Sequence, residues 1–429
     1  MDRRDPPSLA LCGGIDHRLC MGCGICAGVC PREALLMNLD ERLGAYLPVY
    51  ISDRCNGCGI CRKACPGYET DLGGACKSLW GEKPEDPRVG QFRSAVIAYS
   101  NNDTIRYNGS SGGMVTGLLI HALEAGMING ALVTRMREDI PWMTEAFIAH
   151  HPEEILSGVG SKYCPVSMDS AIRQMIHCDG KYAVVGLPCH IYGIRKAQAL
   201  VKSLRERVVF TFGLFCATGR SYKGTEAFLL QAGIRSKTLK SIRYRGAGWP
   251  GVTKVVDLSG RSVRCSVETA YPFMCFNDIP RCAVCPDKTS ELADISFGDL
   301  WLGDERPNMG TGKSVCLVRS QQGAVLFEHA QAAHCIAAVD LDPSRTIEAV
   351  DNENKKRRAA ARIAILKWLG RPVPVIANAI REPIPVADLI LGLQYFILQR
   401  ACRYAFLRSI YFFVRPNYRK LRAKMLEKT

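Results

Sequence analysis

Cys20, Cys23, Cys26 and Cys30, closed by Pro31, recur as Cys55, Cys58, Cys61 and Cys65, closed by Pro66. Thiolates separated by two residues can cap three irons of one cubane, while the fourth thiolate of each run crosses to the other. The expected grouping puts Cys20, Cys23, Cys26 and Cys65 on one [4Fe-4S] cluster, and Cys55, Cys58, Cys61 and Cys30 on a second. Gly22, Gly24, Gly57 and Gly59 suit a backbone that wraps closely round inorganic sulfide. A pair of zinc knuckles is the rival reading. Zinc asks for one tetrahedral set of four ligands, whereas two identical runs of four thiolates, each ended by Pro, match two cubanes. The chemistry this implies is one-electron transfer.

Four more cysteines stand out by context. Cys189 lies in GLPC (Gly186–Cys189) where a strand gives way to a helix, and Cys216 in GLFC (Gly213–Cys216) at another strand end. Cys282-x2-Cys285-Pro286 is a compact pair in a turn. Alone, each strand-end Cys reads equally as a small buried hydrophobe. Together the four make a chemically sensible third cubane, with Cys275 a rival for one place. A different chemistry is suggested by Asn108–Gly113 (NGSSGG) ahead of the helical pattern Met114–Gly126. Free backbone N–H groups and a helix dipole suit a phosphate or pyrophosphate there, with hydroxyls from Ser110, Ser111 and Thr116. An ordinary N-cap explains the same residues. In Gly160–Tyr163 (GSKY), Lys162 either meets a phosphate or ring or is a solvated lysine.

These residues need a scaffold. The chain has 429 residues, enough for two or three domains with real cores. Its 21 Cys would suit a secreted disulfide framework, but the N-terminus lacks the apolar core of a signal peptide, so the expected setting is a reducing cytoplasm. No apolar run reaches spanning length. Residues 1–80 form the expected two-cluster module, with Gly81–Pro87 as its linker. Beyond it, apolar strands at Ser94–Tyr99, Gly130–Thr134, Tyr182–Leu187 and Arg207–Leu214 alternate with helical patterns at 113–126, 168–178 and 190–203. That alternation predicts a mixed α/β layer with a substantially parallel sheet. Thr253–Leu258 and Arg261–Cys265 predict a hairpin. The expected divisions are 90–180, 181–345 and a basic helical extension at 346–429.

The ordered set of cluster run, SSGG, GSKY, GLPC, GLFC, RGAGWPG (Arg245–Gly251), Arg281-Cys282-x2-Cys285-x-Asp287 and ADISFGD (Ala293–Asp299) resembles the coenzyme F420 hydrogenase/dehydrogenase beta-subunit family. That family includes 7-hydroxymethyl chlorophyll a reductase, and the resemblance covers roughly residues 15–305. It implies bound FAD, with Ser110, Ser111, Gly112, Gly113, Thr116 and Lys162 as its candidate contacts. It further implies a third cluster on Cys189, Cys216, Cys282 and Cys285, fused to a ferredoxin-like module. The implied activity is an oxidoreductase that passes electrons from a ferredoxin-type donor through clusters and FAD to an organic substrate. The alternative is a non-catalytic electron-transfer subunit of a hydrogenase or dehydrogenase. His190 stands where the family's Gln is expected and is the best-placed proton-donor guess beside a structural reading. Arg243, Arg245 and Trp249 either line the substrate side or form a hairpin-edge surface.

Charge is concentrated at one end. Of the formal net charge of +15, residues 355–429 hold seventeen Lys or Arg against three acids. Lys355–Arg358 (KKRR) opens this extension, and Val386–Leu398 is strongly apolar before Arg400, Arg403 and Arg408 interleave with aromatics. Such a segment suits the face of an anionic membrane, or a helix docked on the protein or a dimer partner with its charges solvated. Nothing else resembles a nucleic-acid recognition module.

Overall fold

Each cysteine run leads into a short helix, Ile25–Gly28 in the first and Ile60–Ala64 in the second. Gly24 (φ 77°) and Gly59 (φ 73°) cap these helices from the left-handed region, where a Cβ is penalised. Between the runs β1 (Leu35–Asp40) and β2 (Ala45–Tyr50) pair antiparallel, and β3 (Glu69–Thr70) and the helix Leu72–Trp80 follow. The chain is seen here in a computed structural model that describes residues 16–275, 277–302, 310–350, 352–377, 384–402 and 404.

The body is built on one eight-stranded sheet. Its strands are β4 (Ser94–Ser100), β5 (Gly130–Met136), β6 (Thr144–Ala149), β7 (Tyr182–Gly186) and β8 (Val208–Leu214), joined later by β12 (Ile295–Asp299), β13 (Ser314–Val318) and β14 (Ile336–Asp340). Between the two groups β9 (Leu239–Arg243), β10 (Val252–Asp257) and β11 (Ser262–Ser266) form a separate antiparallel sheet, which contains the expected hairpin. The large sheet runs β14-β4-β13-β12-β8-β7-β5-β6. Its centre (β12, β8, β7, β5) is parallel and both flanks are antiparallel. Strands from either side of residue 180 therefore share one sheet.

The helices Met114–Glu124 and Gln321–Ala332 cover one face of that sheet. The other face is covered by Asp169–His177, Pro188–Leu200 and part of the cluster module itself, through Ile25, Val29 and Ala64. Approach there is close: a Cβ on Gly193 would stand 2.6 Å from Ile25 Cγ1, and one on Gly24 2.1 Å from Ser167 Oγ. Met168 N–H donates to the Cys23 carbonyl (3.1 Å) and Lys196 Nζ to that of Cys65 (3.0 Å). Gly81–Pro87 thus connects two bodies that share a core.

The extension departs from the expectation of solvated charge. Its helix Asn352–Trp368 lies against the turn Pro280–Val284. There Lys356 pairs with buried Glu291 (2.6 Å), Arg357 with buried Asp388 (2.5 Å), and Arg362 donates to the Ala283 carbonyl (3.0 Å). β15 (Val375–Ile376) then joins β3 in parallel. The helix Val386–Ala401 turns Tyr395 and Gln399 onto Asp278 (2.5 and 3.2 Å), and leaves Val386, Ile390, Leu393 and Ile397 exposed. The aromatic and basic stretch expected beyond Tyr404 lies outside the described residues. No described helix is long and apolar enough to cross a membrane.

Ile25 is 0% exposed and seals the module to the sheet. Ile25→Ala should cost about 2–5 kcal/mol and lower the anaerobic thermal midpoint. Leu258→Ala, at a position 69% exposed, should leave it unchanged. Equal midpoints for the two variants would refute this account of the docking.

Candidate functional site

The duplicated runs enclose two adjoining cavities. Cys20, Cys23, Cys26 and Cys65 line one, and Cys30, Cys55, Cys58 and Cys61 line a second, with Cys61 also at the edge of the first. Backbone N–H groups point at the sulfurs in matching positions of the two runs: Gly22 to Cys20 Sγ (3.3 Å) and Gly57 to Cys55 Sγ (3.4 Å), with Ala34 to Cys30 Sγ (3.3 Å). Such donors favour charge on sulfur. Burial pushes the Cys20 thiol up to about 12, aided by Cys65. Cys23 and Cys26 are pushed up by burial and then by the other thiols of their set. Four thiols that surround a space, with the ionisation of Cys20, Cys23 and Cys26 opposed by their neighbours, fit a polynuclear iron–sulfur group, whose irons would neutralise them. Among the described residues, no three His, Cys, Asp or Glu side chains converge as the ligands of a single ion would.

The other four cysteines are brought together by the sheet. β7 and β8 are parallel neighbours, so the residues just past their C-terminal ends, Cys189 and Cys216, emerge on the same side. The turn Pro280–Val284 carries Cys282 and leads to Cys285. Burial raises the Cys189 thiol most, followed by repulsion from Cys23, Cys282, Cys216 and Cys285. Burial followed by Cys216 and Cys285 takes Cys282 up to about 12. Cys189 therefore stands between the first thiol set and the expected third. Cys275 is placed elsewhere, its Sγ accepting from Arg220 (3.5 Å) and donating to the Tyr271 carbonyl (3.5 Å).

Arg281 and Lys355 border this third set, and Arg220 also lies in the field of Cys216. Arg281, 1% exposed, donates from Nε to the Gly67 carbonyl (2.8 Å) and from Nη2 to Thr70 Oγ1 (3.0 Å). Its Nη1 is buried with no partner among the described residues. Lys355, from the extension, donates from Nζ to the carbonyls of Cys216 (2.6 Å) and Asp287 (2.7 Å). Burial opposes its charge, but Cys285, Cys216, Asp287 and Cys282 together raise its pKa. The one signal for Lys355 in the sequence is its place in KKRR, which reads as a solvated run until its partners are known.

The two small-residue loops meet. Ser110 Oγ accepts from the Ser161 backbone (2.7 Å) and bonds the Ser161 hydroxyl (2.8 Å). Ser111 Oγ donates to the Lys313 carbonyl (2.6 Å) and Gly112 N–H to Ser314 Oγ (2.9 Å). The cap of the helix Met114–Glu124 is Gly113 (φ 73°), with no side-chain capping bond, so the serines are not the ordinary N-cap. Thr116 is buried in the first turn. Lys162 donates to the carbonyls of Gly158 (2.5 Å) and Val159 (3.3 Å), and burial brings its pKa down to about 8. Arg243 reaches from β9 to both oxygens of Asn108 (3.0 Å each). Arg245 forms a bidentate pair with Asp299 (2.6 and 3.0 Å), which also accepts from Trp249 Nε1 (3.3 Å). Arg245 and Trp249 are buried, not a hairpin-edge surface. His190 is buried at a helix start, accepts from Leu187 N–H (3.3 Å) and is lowered to about 4 by burial.

Comparison with known proteins places this geometry. Residues 95–173 match the model for the N-terminal part of the coenzyme F420 hydrogenase/dehydrogenase beta subunit, and residues 179–344 match the model for its C-terminal part. Residues 19–68 match a 4Fe-4S dicluster domain. The coenzyme F420 hydrogenase subunit beta of Methanosarcina barkeri is 29% identical over 58% of this chain and 82% of its own. The coenzyme F420-dependent sulfite reductase of Methanocaldococcus jannaschii is 25% identical over 72% of this chain and 45% of its own. A chain in the structure of the F420-reducing [NiFe] hydrogenase complex from Methanosarcina barkeri aligns with a TM-score of 0.50 at 25% identity, covering 67% of this chain and 98% of that one.

Lys162 offers a pH test. Its folded pKa of about 8 lies below the ordinary 10.5, so between those values the unfolded chain holds more protons than the folded one. Stability should therefore rise with pH across that window. The thermal midpoint of the wild type should gain on that of Lys162→Met from about pH 8 upward; a constant difference would show that the amine is not buried as described.

Proposed function

This chain belongs to the coenzyme F420 hydrogenase/dehydrogenase beta-subunit family, and from that premise we propose that it is an iron–sulfur flavoprotein oxidoreductase. It passes electrons from a ferredoxin-type donor to a small organic molecule. The observation that carries the reading is the junction at Cys189, which lies in the field of Cys23 on one side and of Cys216, Cys282 and Cys285 on the other. Cys20, Cys23, Cys26 and Cys65 hold one cluster, Cys30, Cys55, Cys58 and Cys61 the second, and Cys189, Cys216, Cys282 and Cys285 the third. Clusters exchange single electrons, and FAD, when bound, couples them to two-electron chemistry.

The chain's own residues supply position and field. The N–H groups of Gly22 and Gly57 stabilise charge on sulfur. The Ser110–Ser161 bonds and Arg243 fix the loops Asn108–Gly113 and Gly160–Tyr163 beside each other. This supports FAD contacts at Ser110, Ser111, Gly112, Gly113, Thr116 and Lys162, around the N-terminal end of the helix Met114–Glu124, which suits a pyrophosphate. The Arg245–Asp299 pair keeps the neighbouring Trp249 loop in place. His190, held neutral and bonded to its own turn, serves the structure and not proton delivery.

Relatives named for coenzyme F420 make that coenzyme the first substrate to try. Protein purified without oxygen should carry about twelve irons and one FAD per chain, and should pass electrons from reduced ferredoxin to the added coenzyme. Lys162→Met should lower flavin content without lowering iron. About eight irons and no flavin would leave only the N-terminal module standing.

A second reading is favoured by the likeness to nearly the whole of one chain of a hydrogenase complex: an electron-transfer subunit that works only with partners. Failure of the isolated protein to reduce any small molecule, cured by a partner subunit, would select it.

The helix Val386–Ala401 also supports a surface role. It buries Asp388, Gly392 and Gln399 and exposes Val386, Ile390, Leu393 and Ile397, with exposed Lys367, Arg371 and Arg400 in the same extension. An apolar stripe accompanied by cations suits an anionic membrane face. Wild-type protein should float with anionic vesicles, and a double variant, Ile390→Ser with Leu393→Ser, should not. Equal flotation would remove the membrane role, and dimerisation lost in the variant would assign the stripe to a second copy.

A further inference from the structure

The third thiol set is bordered by Arg281 and Lys355, from different parts of the chain, while Arg220, paired with Asp278, lies in the field of Cys216. Arg281 is anchored on Gly67 and Thr70 of the dicluster module, yet one buried N–H of its guanidinium has no acceptor among the described residues. Buried donors are nearly always satisfied, and an ion or group missing from the coordinates is one physical reason for an exception. The thiols that share a field with Arg281 are Cys285, Cys282, Cys65 and Cys189, which belong to the third set and the first. Lys355 approaches from the other direction. Its ammonium sits on the carbonyls of Cys216, an expected ligand, and of Asp287, two residues past Cys285. Asp287 and Glu291 are the carboxylates nearby, and Lys356 pairs with Glu291 (2.6 Å) while Arg319 lies in the field of both.

A cluster on four thiolates gains a further negative charge when it accepts an electron. A fixed cation a few ångströms away stabilises the reduced form more than the oxidised one, and net charge is among the factors that set cluster potentials. Lys355 lies beyond residue 344, where the family match ends. The basic extension thus carries a charge into the redox centre as well as onto the surface.

We propose that Arg281 and Lys355 set the reduction potential of the cluster held by Cys189, Cys216, Cys282 and Cys285, with Lys355 delivered by the extension helix Asn352–Trp368. The inference rests on the third-cluster reading given above. Both are positioning residues that act through charge, and neither is a ligand.

The test uses the full chain purified without oxygen, with iron and sulfide content and a redox titration followed by electron paramagnetic resonance. In Lys355→Met the midpoint of one cluster signal should move to lower potential while the others stay in place, with iron content unchanged. Lys355→Arg should restore it. An unmoved midpoint at full iron content overturns the proposal. Loss of about four irons in Lys355→Met alone overturns it in favour of a structural role. About eight irons already in the wild type would instead refute the third cluster itself, and the inference with it. Arg281→Lys, which keeps charge but not the two anchoring bonds, should shift the midpoint less than Arg281→Met.

Discussion

The constraint on which the rest depends is the closeness of the cluster module to the sheet. Electrons arriving at the N-terminal thiols can go further only if the module is fixed against the body, and Ile25 packed over Gly193 fixes it. Any side chain at 193 would push the module away. The same approach brings the Cys23 side of the first thiol set to Cys189, at the end of β7, and lets Arg281 tie Gly67 and Thr70 to the turn that carries Cys282. A hydrophobic contact therefore decides how near the two thiol sets stand.

The cost of such an arrangement is electrostatic. Twelve cysteines crowd toward one region, and burial favours the neutral thiol at Cys20, Cys23, Cys26, Cys189, Cys216 and Cys282. The chain answers with backbone N–H groups in the duplicated runs and with side-chain cations round the later set. Asp287, raised to about 6 mainly by burial, shows how tightly the balance is drawn, since Lys355, Lys356 and Arg319 all act on it.

What can be read from sequence divides along the range of the signal. The two cysteine runs are legible because ligand spacing is local, and so are β4, β5, β7, β8 and the hairpin, whose apolar runs are bounded by turn residues. The meeting of the Asn108 and Gly160 loops is hinted at only by motif order, because the Ser110–Ser161 bond spans 51 residues. β6 (Thr144–Ala149), β12, β13 and β14 escape a sequence reading although none is shorter than β7: what marks them is their neighbours in the sheet. The largest departure concerns the extension. Lys355, Lys356, Arg357 and Arg362 look like a solvated stripe, and only long-range partners such as Glu291 and the Ala283 carbonyl turn them inward.

β15 adds a two-residue strand beside β3, so residues 375 and 376 complete an edge laid down by residues 69 and 70. Synthesis is vectorial, and the N-terminal portion emerges first. The module therefore leaves the ribosome with its edge open and its first thiol set not yet covered by the helix that carries Gly193. That edge is completed only by residues made about three hundred positions after the ones they pair with.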